Sequence, residues 1–375
     1  MSLKATSIHE YFRELTDPRS NSYTRHLLMD ILVIALCATI GGAEGFNDIE
    51  LYGRMKETWF RTFLDLPNGI PSHDTFNRVF SLLSPEEFSK CFIKWTQSLA
   101  KKLEGVVAID GKTLRRSFLS ASKTTALHMV SAWSSENKLV LGQIRTAAKS
   151  NEITAIPELI SMLDIKGCTV TIDAMGCQKD IAQKIIDNDA DYVLGLKGNQ
   201  GNTLDAAEFL FKCEEKDNFR GVFHTEYDTP RKNHSRIEKR EIYSIGIPND
   251  IKEFAEWPGL KSITMVVSTR QITGKEPTIE RRFYLSSLPA RAEQIGNAIR
   301  AHWGIENSLH WILDVDFRED YARNRKNHSA ENMAILRHIV VNLVKKENSS
   351  KTSFRGKLLK ASWSDDYVLK LLSLN

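Results

Sequence analysis

The chain has 375 residues, of which 42% are hydrophobic and 26% are charged, as in ordinary globular proteins and unlike disordered or collagen-like chains. This length suffices for one large domain or for two to three ordinary ones, each with its own core. The formal net charge of +4 at pH 7 is only mildly basic, so the total charge alone does not indicate nucleic-acid binding.

The cysteines and the longest apolar stretch indicate the cellular compartment. The five cysteines are Cys37, Cys91, Cys168, Cys177 and Cys213. They are odd in number, widely spaced and form no CxxC pair, which fits a reducing compartment and argues against a disulfide framework or a zinc ribbon. Residues 31–40 are too few to span a bilayer and too far from the N-terminus to be a signal peptide. The sequence therefore predicts a cytoplasmic protein with no membrane partner.

Residues 1–103 predict an all-helical N-terminal module. A buried helix at residues 29–36 stops at a glycine pair. Ser72 can cap a second helix in which Phe76 begins an apolar face at helical spacing, and a third helix starts near Pro85. Short helices joined by tight turns fit a helix-turn-helix-like DNA-binding module, and they fit equally a small bundle packed on a catalytic domain.

Residues 104–200 read as strands followed by helix–strand units. Predicted strands cover residues 106–110, 125–133, 139–144, 169–173 and 191–196. Three hairpin strands followed by two helix–strand units give the order of a ribonuclease-H-like α/β core. In that order the first and fourth strands are neighbours, so Asp110 and Asp173 would emerge side by side although 63 positions separate them.

Three further regions complete the predicted organisation. Residues 201–288 form a β-rich, largely antiparallel insertion, residues 289–346 are the helical remainder of the core, and residues 347–375 are a basic C-terminal segment. The basic residues of one hairpin in the insertion are Arg231, Lys232, His234, Arg236, Lys239 and Arg240. Such a run fits a DNA contact, and it also fits an ordinary solvated face.

Three carboxylates predict a metal centre. Asp110 and Asp173 each end an apolar strand, and Glu306 lies far downstream on a Trp-rich helix. A buried strand needs no terminal carboxylate for its packing, so such a group is solvated, paired or bound to a cation. Magnesium prefers oxygen ligands, and two ions about 4 Å apart can serve phosphodiester chemistry. We expect Asp110 to bridge both ions, with Asp173 on one and Glu306 on the other.

Three other interpretations of these carboxylates stay open. Each aspartate could merely cap a turn or pair with a nearby cation. The carboxylates that compete with Glu306 for its role are Asp314, Asp316, Glu319 and Asp320. His302, Glu306 and His310 are four apart and share one helix face, which could bind zinc, although the zinc-protease spacing HExxH is absent.

Basic residues near the predicted strand ends are candidates for DNA contacts. Lys112, Arg115, Arg116 and Lys197 would flank the edge that a phosphate must approach. Lys112 is nearest in sequence to the first aspartate and is the candidate for the scissile phosphate. Histidines beside an acidic metal centre often help to bind phosphate, which adds His302 and His310 to the DNA-binding candidates.

Five stretches of this chain resemble one known family. The stretches are residues 108–117, 171–178, 196–200, 302–315 and 325–332. Together they are similar to the H-repeat-associated transposases of bacterial insertion sequences, which carry a DDE catalytic domain, and the resemblance extends over nearly the whole chain.

The resemblance implies a catalytic triad, a cofactor and a reaction. The triad would be Asp110, Asp173 and Glu306 in a ribonuclease-H-like domain with a β-rich insertion before the glutamate. The cofactor would be Mg²⁺ or Mn²⁺. The reaction would be hydrolytic nicking at element ends, followed by attack of the freed 3′-hydroxyl on target DNA. The partner would be double-stranded DNA, bound by a homodimer so that both element ends are cut together.

One departure from the wider group leaves part of the reaction open. That group carries a Tyr, an Arg and a Lys around the glutamate, where this chain has Ile299, His302 and Leu313. Whether a hairpin intermediate forms is therefore undecided. Two alternatives to a transposase are an inactive DNA-binding relic of such an element and a metal-dependent nuclease without strand transfer.

Overall fold

The computed structural model describes residues 7–19, 24–100, 102–117, 126–146, 152–220, 222–229, 236–248, 250–272 and 274–373. The helices are α1 (Ser7–Phe12), α2 (Leu28–Ile40), α3 (Phe46–Met55), α4 (Glu57–Phe60), α5 (His73–Leu82), α6 (Pro85–Leu99), α7 (Glu152–Met162), α8 (Lys179–Asp187), α9 (Gly201–Lys216), α10 (Lys252–Ala255), α11 (Ala292–Ile305), α12 (Trp311–Val315), α13 (Ser329–Lys346), α14 (Phe354–Trp363) and α15 (Asp365–Leu372). Among these described helices, none combines the length and the apolar character needed to cross a bilayer.

The strands are β1 (Val106–Leu114), β2 (Leu127–Ser134), β3 (Leu139–Arg145), β4 (Thr169–Ile172), β5 (Asp191–Leu196), β6 (Phe223–Thr229), β7 (Arg236–Gly246), β8 (Ser262–Ile272) and β9 (Thr278–Ser286). The protein is thus mixed α/β, as predicted. Contacts divide it into two compact units. The first is built from described residues of 1–102, 111–150 and 306–375, and the second from those of 103–110 and 151–305.

The sheet of the second unit has the strand order β1-β4-β5-β9-β8-β7-β6. Here β1 is parallel to β4 and β4 is parallel to β5. Strand β9 pairs antiparallel with β5, and β8, β7 and β6 follow in antiparallel order. The strands of the predicted insertion therefore extend the sheet that carries the aspartates. Helix α11 packs on this sheet through Ile295 and Ile299, which share a buried cluster with Val193 and Val266.

Helix α9 lies where the sequence predicted a β-rich region. It buries Ala207 and Phe211, and its first two residues are glycine and asparagine with no side-chain cap. Because both residues are poor helix formers, the start of this helix has no clear signal in the sequence. In the predicted basic hairpin, Arg231, Lys232 and His234 lie outside the described residues.

In the first unit, buried helix α13 closes the open edge of β3. The strand order there is β3-β2-β1. The Asn342 side chain accepts a hydrogen bond from Val140 N at 2.8 Å and donates one to Val140 O at 2.9 Å. Its amide thereby satisfies a backbone donor and acceptor that an edge strand would otherwise leave unpaired.

The C-terminal residues, predicted only as a basic segment, form α14 and α15 around a buried glutamate. Glu347 accepts hydrogen bonds from Ser349 N and Tyr367 Oη, both at 2.8 Å. Burial raises the pKa of the Glu347 carboxyl, but the hydrogen bonds from Ser349 and Tyr367 outweigh it and lower the pKa from 4.5 to about 2. The carboxylate is therefore ionised throughout the neutral range.

We expect Asn342→Leu to lower the free energy of unfolding by roughly 2–3 kcal/mol, because it leaves the N–H and C=O of Val140 buried without partners. Urea unfolding followed by circular dichroism measures the change. The matched control is Asn348→Leu at an exposed position, which should shift stability by less than about 0.5 kcal/mol. Equal effects of the two changes would show that the amide does not stabilise the β3 edge.

We also expect Glu347→Gln to lower stability at pH 7. A carboxyl with a lowered folded-state pKa stabilises the protein above its unfolded pKa, and this contribution disappears as the pH falls through the folded pKa. The difference in unfolding free energy between wild type and variant should therefore shrink between pH 4.5 and about 2. Urea unfolding at several pH values tests this, with exposed Glu10→Gln as control. A difference in unfolding free energy that does not change with pH would contradict this role of the Glu347 carboxylate.

Candidate metal centre

Asp110 and Asp173 lie next to each other in the sheet of the second unit. Strands β1 and β4 are parallel, and Ile109 and Ile172 are register partners. The two aspartates directly follow this pair, so both lie where the parallel pairing of β1 with β4 ends. The predicted end of the first strand at Asp110 is wrong, because β1 continues through Asp110 to Leu114, whereas Asp173 does follow the end of β4. The prediction that the first and fourth strands are neighbours is confirmed. Asp173 is exposed and Asp110 is half-buried.

Asp173 also caps the turn that follows it. Its Oδ1 accepts a hydrogen bond from Met175 N at 3.0 Å, at the start of the 3-10 turn Ala174–Gly176. This bond fixes the orientation of the carboxylate and uses one of its two oxygens. The neighbouring strand β5 passes closely at Gly195, where an added Cβ would lie 3.2 Å from Ala174 N. A glycine at this position therefore leaves room for the Asp173 turn.

His302 ties the last turn of α11 to β4. Its Nδ1 lies 3.1 Å from Thr171 Oγ1, and Thr171 is two residues before Asp173. In the same turn, Trp303 is 42% exposed and the Arg282 guanidinium lies 5.8 Å from its ring centroid. The contact of His302 with a threonine on β4 was not anticipated, because the two residues are 131 positions apart.

Glu306 and His310 belong to the first unit and form a π-helical turn, Glu306–His310. Such turns are rare and occur often at functional sites. Glu306 Oε2 lies 3.6 Å from His310 Nδ1, and the side chain of Glu306 is 51% exposed. Burial lowers the pKa of His310, although the charge of Glu306 opposes this. His310 is thus kept neutral beside an exposed carboxylate.

Lys112 is buried in the first unit among carboxylates. Its Nζ lies 2.7 Å from Asp314, 3.4 Å from Glu319 and 3.4 Å from Asp320. Burial lowers the pKa of Lys112, but the three carboxylates raise it by more than burial lowers it. The net shift is upward, so the ammonium stays charged. The ammonium predicted to meet the scissile phosphate is therefore occupied by ion pairs within its own unit.

These ion pairs also distinguish Glu306 from three of its four competitors, but not from Asp316, which has no ion pair among the described residues. Glu319 is buried and contacts Arg337 at 3.2 Å. Burial raises the pKa of Glu319, yet Arg337 and Lys112 lower it more, so the carboxyl is ionised. Asp314, Glu319 and Asp320 all neutralise buried cations. Among the described residues, Glu306 has no lysine or arginine partner.

The other predicted DNA-binding residues lie at the surface. Arg115 is 78% exposed and its Nε lies 3.2 Å from Asp320. The guanidinium of Arg116 lies 5.0 Å from the ring centroid of Tyr321. Lys197 is exposed and directly follows β5, the strand beside β4.

Comparison with known proteins identifies two family matches. Residues 101–343 match the family described as transposase DDE domain, and residues 9–96 match the family described as DDE_Tnp_1-associated. The chain also aligns with a chain of the piggyBac transposase synaptic complex with hairpin DNA. That alignment covers 99% of this chain and 79% of the other, with 11% identity and a TM-score of 0.43, which is too low to carry an argument.

Relatives cover the whole length of the chain. It is 42% identical to the protein named "H repeat-associated putative transposase YhhI" of Escherichia coli K12, over 100% of this chain and 99% of that protein. It is also 48% identical to "Inactive transposase YbfQ" of the same strain, over 15% of this chain and 67% of that protein. The chain therefore belongs to the DDE transposase family, in its H-repeat-associated group.

Proposed function

We propose that this protein is the DNA transposase of an insertion-sequence-like element. It would nick double-stranded DNA at the element ends and then join the freed 3′-hydroxyl to target DNA. One observation carries the proposal: Asp110 and Asp173 directly follow a register pair of adjacent parallel strands. In a DDE transposase the first two acidic residues must meet in this way, although they are far apart along the chain.

The strand arrangement supports a ribonuclease-H-like core with an inserted β-rich part. The orders β3-β2-β1 and β1-β4-β5, with parallel pairing on both sides of β4, are those expected for such a core. Strands β6 to β9 then belong to the insertion that precedes the catalytic glutamate. Residues 1–103 remain, as an interpretation, a helical module for DNA binding or packing.

Asp110, Asp173 and Glu306 would hold Mg²⁺ or Mn²⁺, as two ions. Their donors fit these metals, because hard divalent cations prefer carboxylate oxygens. Asp173 commits only Oδ1 to its turn, and Glu306 has no lysine or arginine partner among the described residues. When bound, such ions activate the attacking oxygen and stabilise the leaving oxygen of the phosphodiester.

The chain itself contributes positioning and charge to this reaction. The contact of His302 with Thr171 fixes the end of α11 on the strand that delivers Asp173. Glu306 is the next residue after this helix, which supports its assignment as the third carboxylate. Arg115 and Lys197 are exposed cations that would contact DNA phosphates. Lys112 is better suited to holding residues 314–320 in place, since three carboxylates surround it.

The second candidate function is that of an inactive relic, and one comparison favours it. A relative aligned over 15% of this chain is named inactive. Against it, Asp110, Asp173 and Glu306 are all present here. A homodimer that binds both element ends at once is part of the proposal, since two ends must be cut together.

We expect Asp110→Asn, Asp173→Asn and Glu306→Gln each to reduce Mg²⁺-dependent nicking of element-end DNA roughly a thousandfold, because a metal site contributes several kcal/mol to such a reaction. Nicks mapped on labelled linear DNA, with Mg²⁺ or with EDTA, measure the loss. Asp180→Asn and Glu276→Gln are matched controls at exposed positions. Unchanged nicking in the three site variants would refute the assignment.

Strand transfer separates a transposase from a nuclease. Incubation of the purified protein with precut element ends, a circular target and Mg²⁺ should give joined products, because the 3′-hydroxyl attacks target DNA. The joining should disappear when the 3′ end is blocked by a dideoxynucleotide. Nicking without any joined product would instead favour a metal-dependent nuclease.

A further inference from the structure

A short loop in the first unit carries three cations that have no acidic partner within the described part of the chain. It joins the 3-10 turn Glu319–Tyr321 to α13, and it contains Arg323, Arg325 and Lys326 within four positions. Among the described residues, none of these three side chains has an ion pair. Arg323 and Lys326 are exposed, and Arg325 is half-buried.

Several other arginines of the same unit are paired. Arg54 lies 2.7 Å from Glu50, and Arg61 lies 2.6 Å from Glu57. Three neighbouring cations repel one another unless an anion lies among them. The loop therefore concentrates positive charge that no described side chain of the protein balances.

These cations line a depression together with amide side chains. Its lining includes Asn77 of α5, Phe46 of α3 and the loop residues Arg323, Arg325, Lys326 and Asn327. Guanidinium, ammonium and amide N–H groups are the donors that proteins use for phosphate oxygens of nucleic acid. The chemistry of this depression thus matches a phosphodiester backbone.

The backbone of the loop is held in an unusual conformation. Asn327 in the loop has a φ of 43°, in the left-handed region where asparagine is enriched, and Arg318, just before the 3-10 turn, has a φ of 49°, which arginine rarely adopts. Arg325 Nε donates a hydrogen bond to Arg116 O at 3.0 Å, and the guanidinium groups of Arg116 and Arg318 lie 5.0 and 5.3 Å from the ring centroid of Tyr321. Such conformations cost energy and are concentrated at functional sites.

Contacts within the fold explain the presence of only half of the residues in the stretch 325–332. Asn332 Nδ2 donates hydrogen bonds to Phe80 O and Leu83 O, both at 2.9 Å, and Ser329 is fully buried. These residues fix the start of α13 against the end of α5. Lys326 contributes to this start through its carbonyl oxygen, which accepts a hydrogen bond from Ser329 N at 2.9 Å, so its positive side chain calls for another reason.

We propose that this depression binds the phosphate backbone of double-stranded DNA, through Arg323 and Lys326 with Asn77 and Asn327 beside them. The proposal rests on the proposed function, because it names a second surface of the same DNA partner. It adds a contact made by residues outside the carboxylate centre and independent of DNA sequence. Arg325 shapes the loop through its bond to Arg116 O and adds its charge.

The test compares two double variants in their binding to a labelled mixed-sequence DNA duplex. Arg323→Ala with Lys326→Ala should weaken binding about tenfold per lost contact near 0.1 M salt, and should reduce the slope of log K against log[salt] by about 0.9 per contact. The control, Arg54→Ala with Lys94→Ala, removes the same charge from side chains that are 60% and 62% exposed in the same unit. It should leave the slope unchanged.

Equal affinities and slopes for the two double variants would overturn the proposal. Circular dichroism and thermal unfolding confirm that both variants are folded. The nicking activity of the Asp110→Asn variant shows whether a failure lies in the catalytic assignment or in the proposed DNA surface. If that variant nicks normally while the slope still falls only in the loop variant, the catalytic assignment fails and the DNA surface stands. A wild-type protein that binds no duplex would overturn both.

Discussion

The parallel pairing of β1 with β4 is the constraint on which the proposed chemistry depends. Register partners Ile109 and Ile172 are each followed by an aspartate, so two carboxylates lie side by side where this parallel pairing ends. Because side chains alternate between faces along a strand, a shift of one residue in this register would turn one aspartate to the opposite face. Two like charges side by side repel, and a divalent cation between them removes that cost.

A buried charge network stabilises residues 314–320, which follow Glu306 in the chain. Lys112, Glu319 and Arg337 are all buried, and each contacts an opposite charge. Removing charges from water is costly, and breaking such a group leaves an unpaired buried ion. The network therefore fixes one arrangement of this segment, and it pairs Asp314, Glu319 and Asp320 with cations of the protein.

Sequence patterns predicted the local structure well where it follows periodicity. The apolar runs that end at Asp110 and Asp173 predicted both strands, although β1 continues to Leu114, beyond its predicted end. The turn and helix signals between them predicted the order that makes these strands neighbours. The start of α9 was missed, because Gly201 and Asn202 are poor helix formers. The catalytic assignment itself came from the strand ends together with the family resemblance, and it remains a proposal.

Long-range polar contacts could not be predicted in the same way. Lys112 meets Asp320 across 208 positions, and Thr171 meets His302 across 131. Such pairs leave no periodic trace, since each residue alone looks like an ordinary surface group. For the same reason the sequence assigned Lys112 to DNA, and it did not single out the loop cations Arg323 and Lys326, which have no acidic partner among the described residues.

Direct measurement of Mn²⁺ binding tests the central claim that Asp110, Asp173 and Glu306 hold the metal together. Isothermal titration of the DNA-free protein compares the wild type with Asp110→Asn, Asp173→Asn and Glu306→Gln, and with Asp180→Asn as control. Each of the three site variants should bind Mn²⁺ at least about tenfold more weakly, as even outer-shell changes do at metal sites, while the control binds as the wild type does. Equal Mn²⁺ affinity in all five proteins would contradict the shared metal centre.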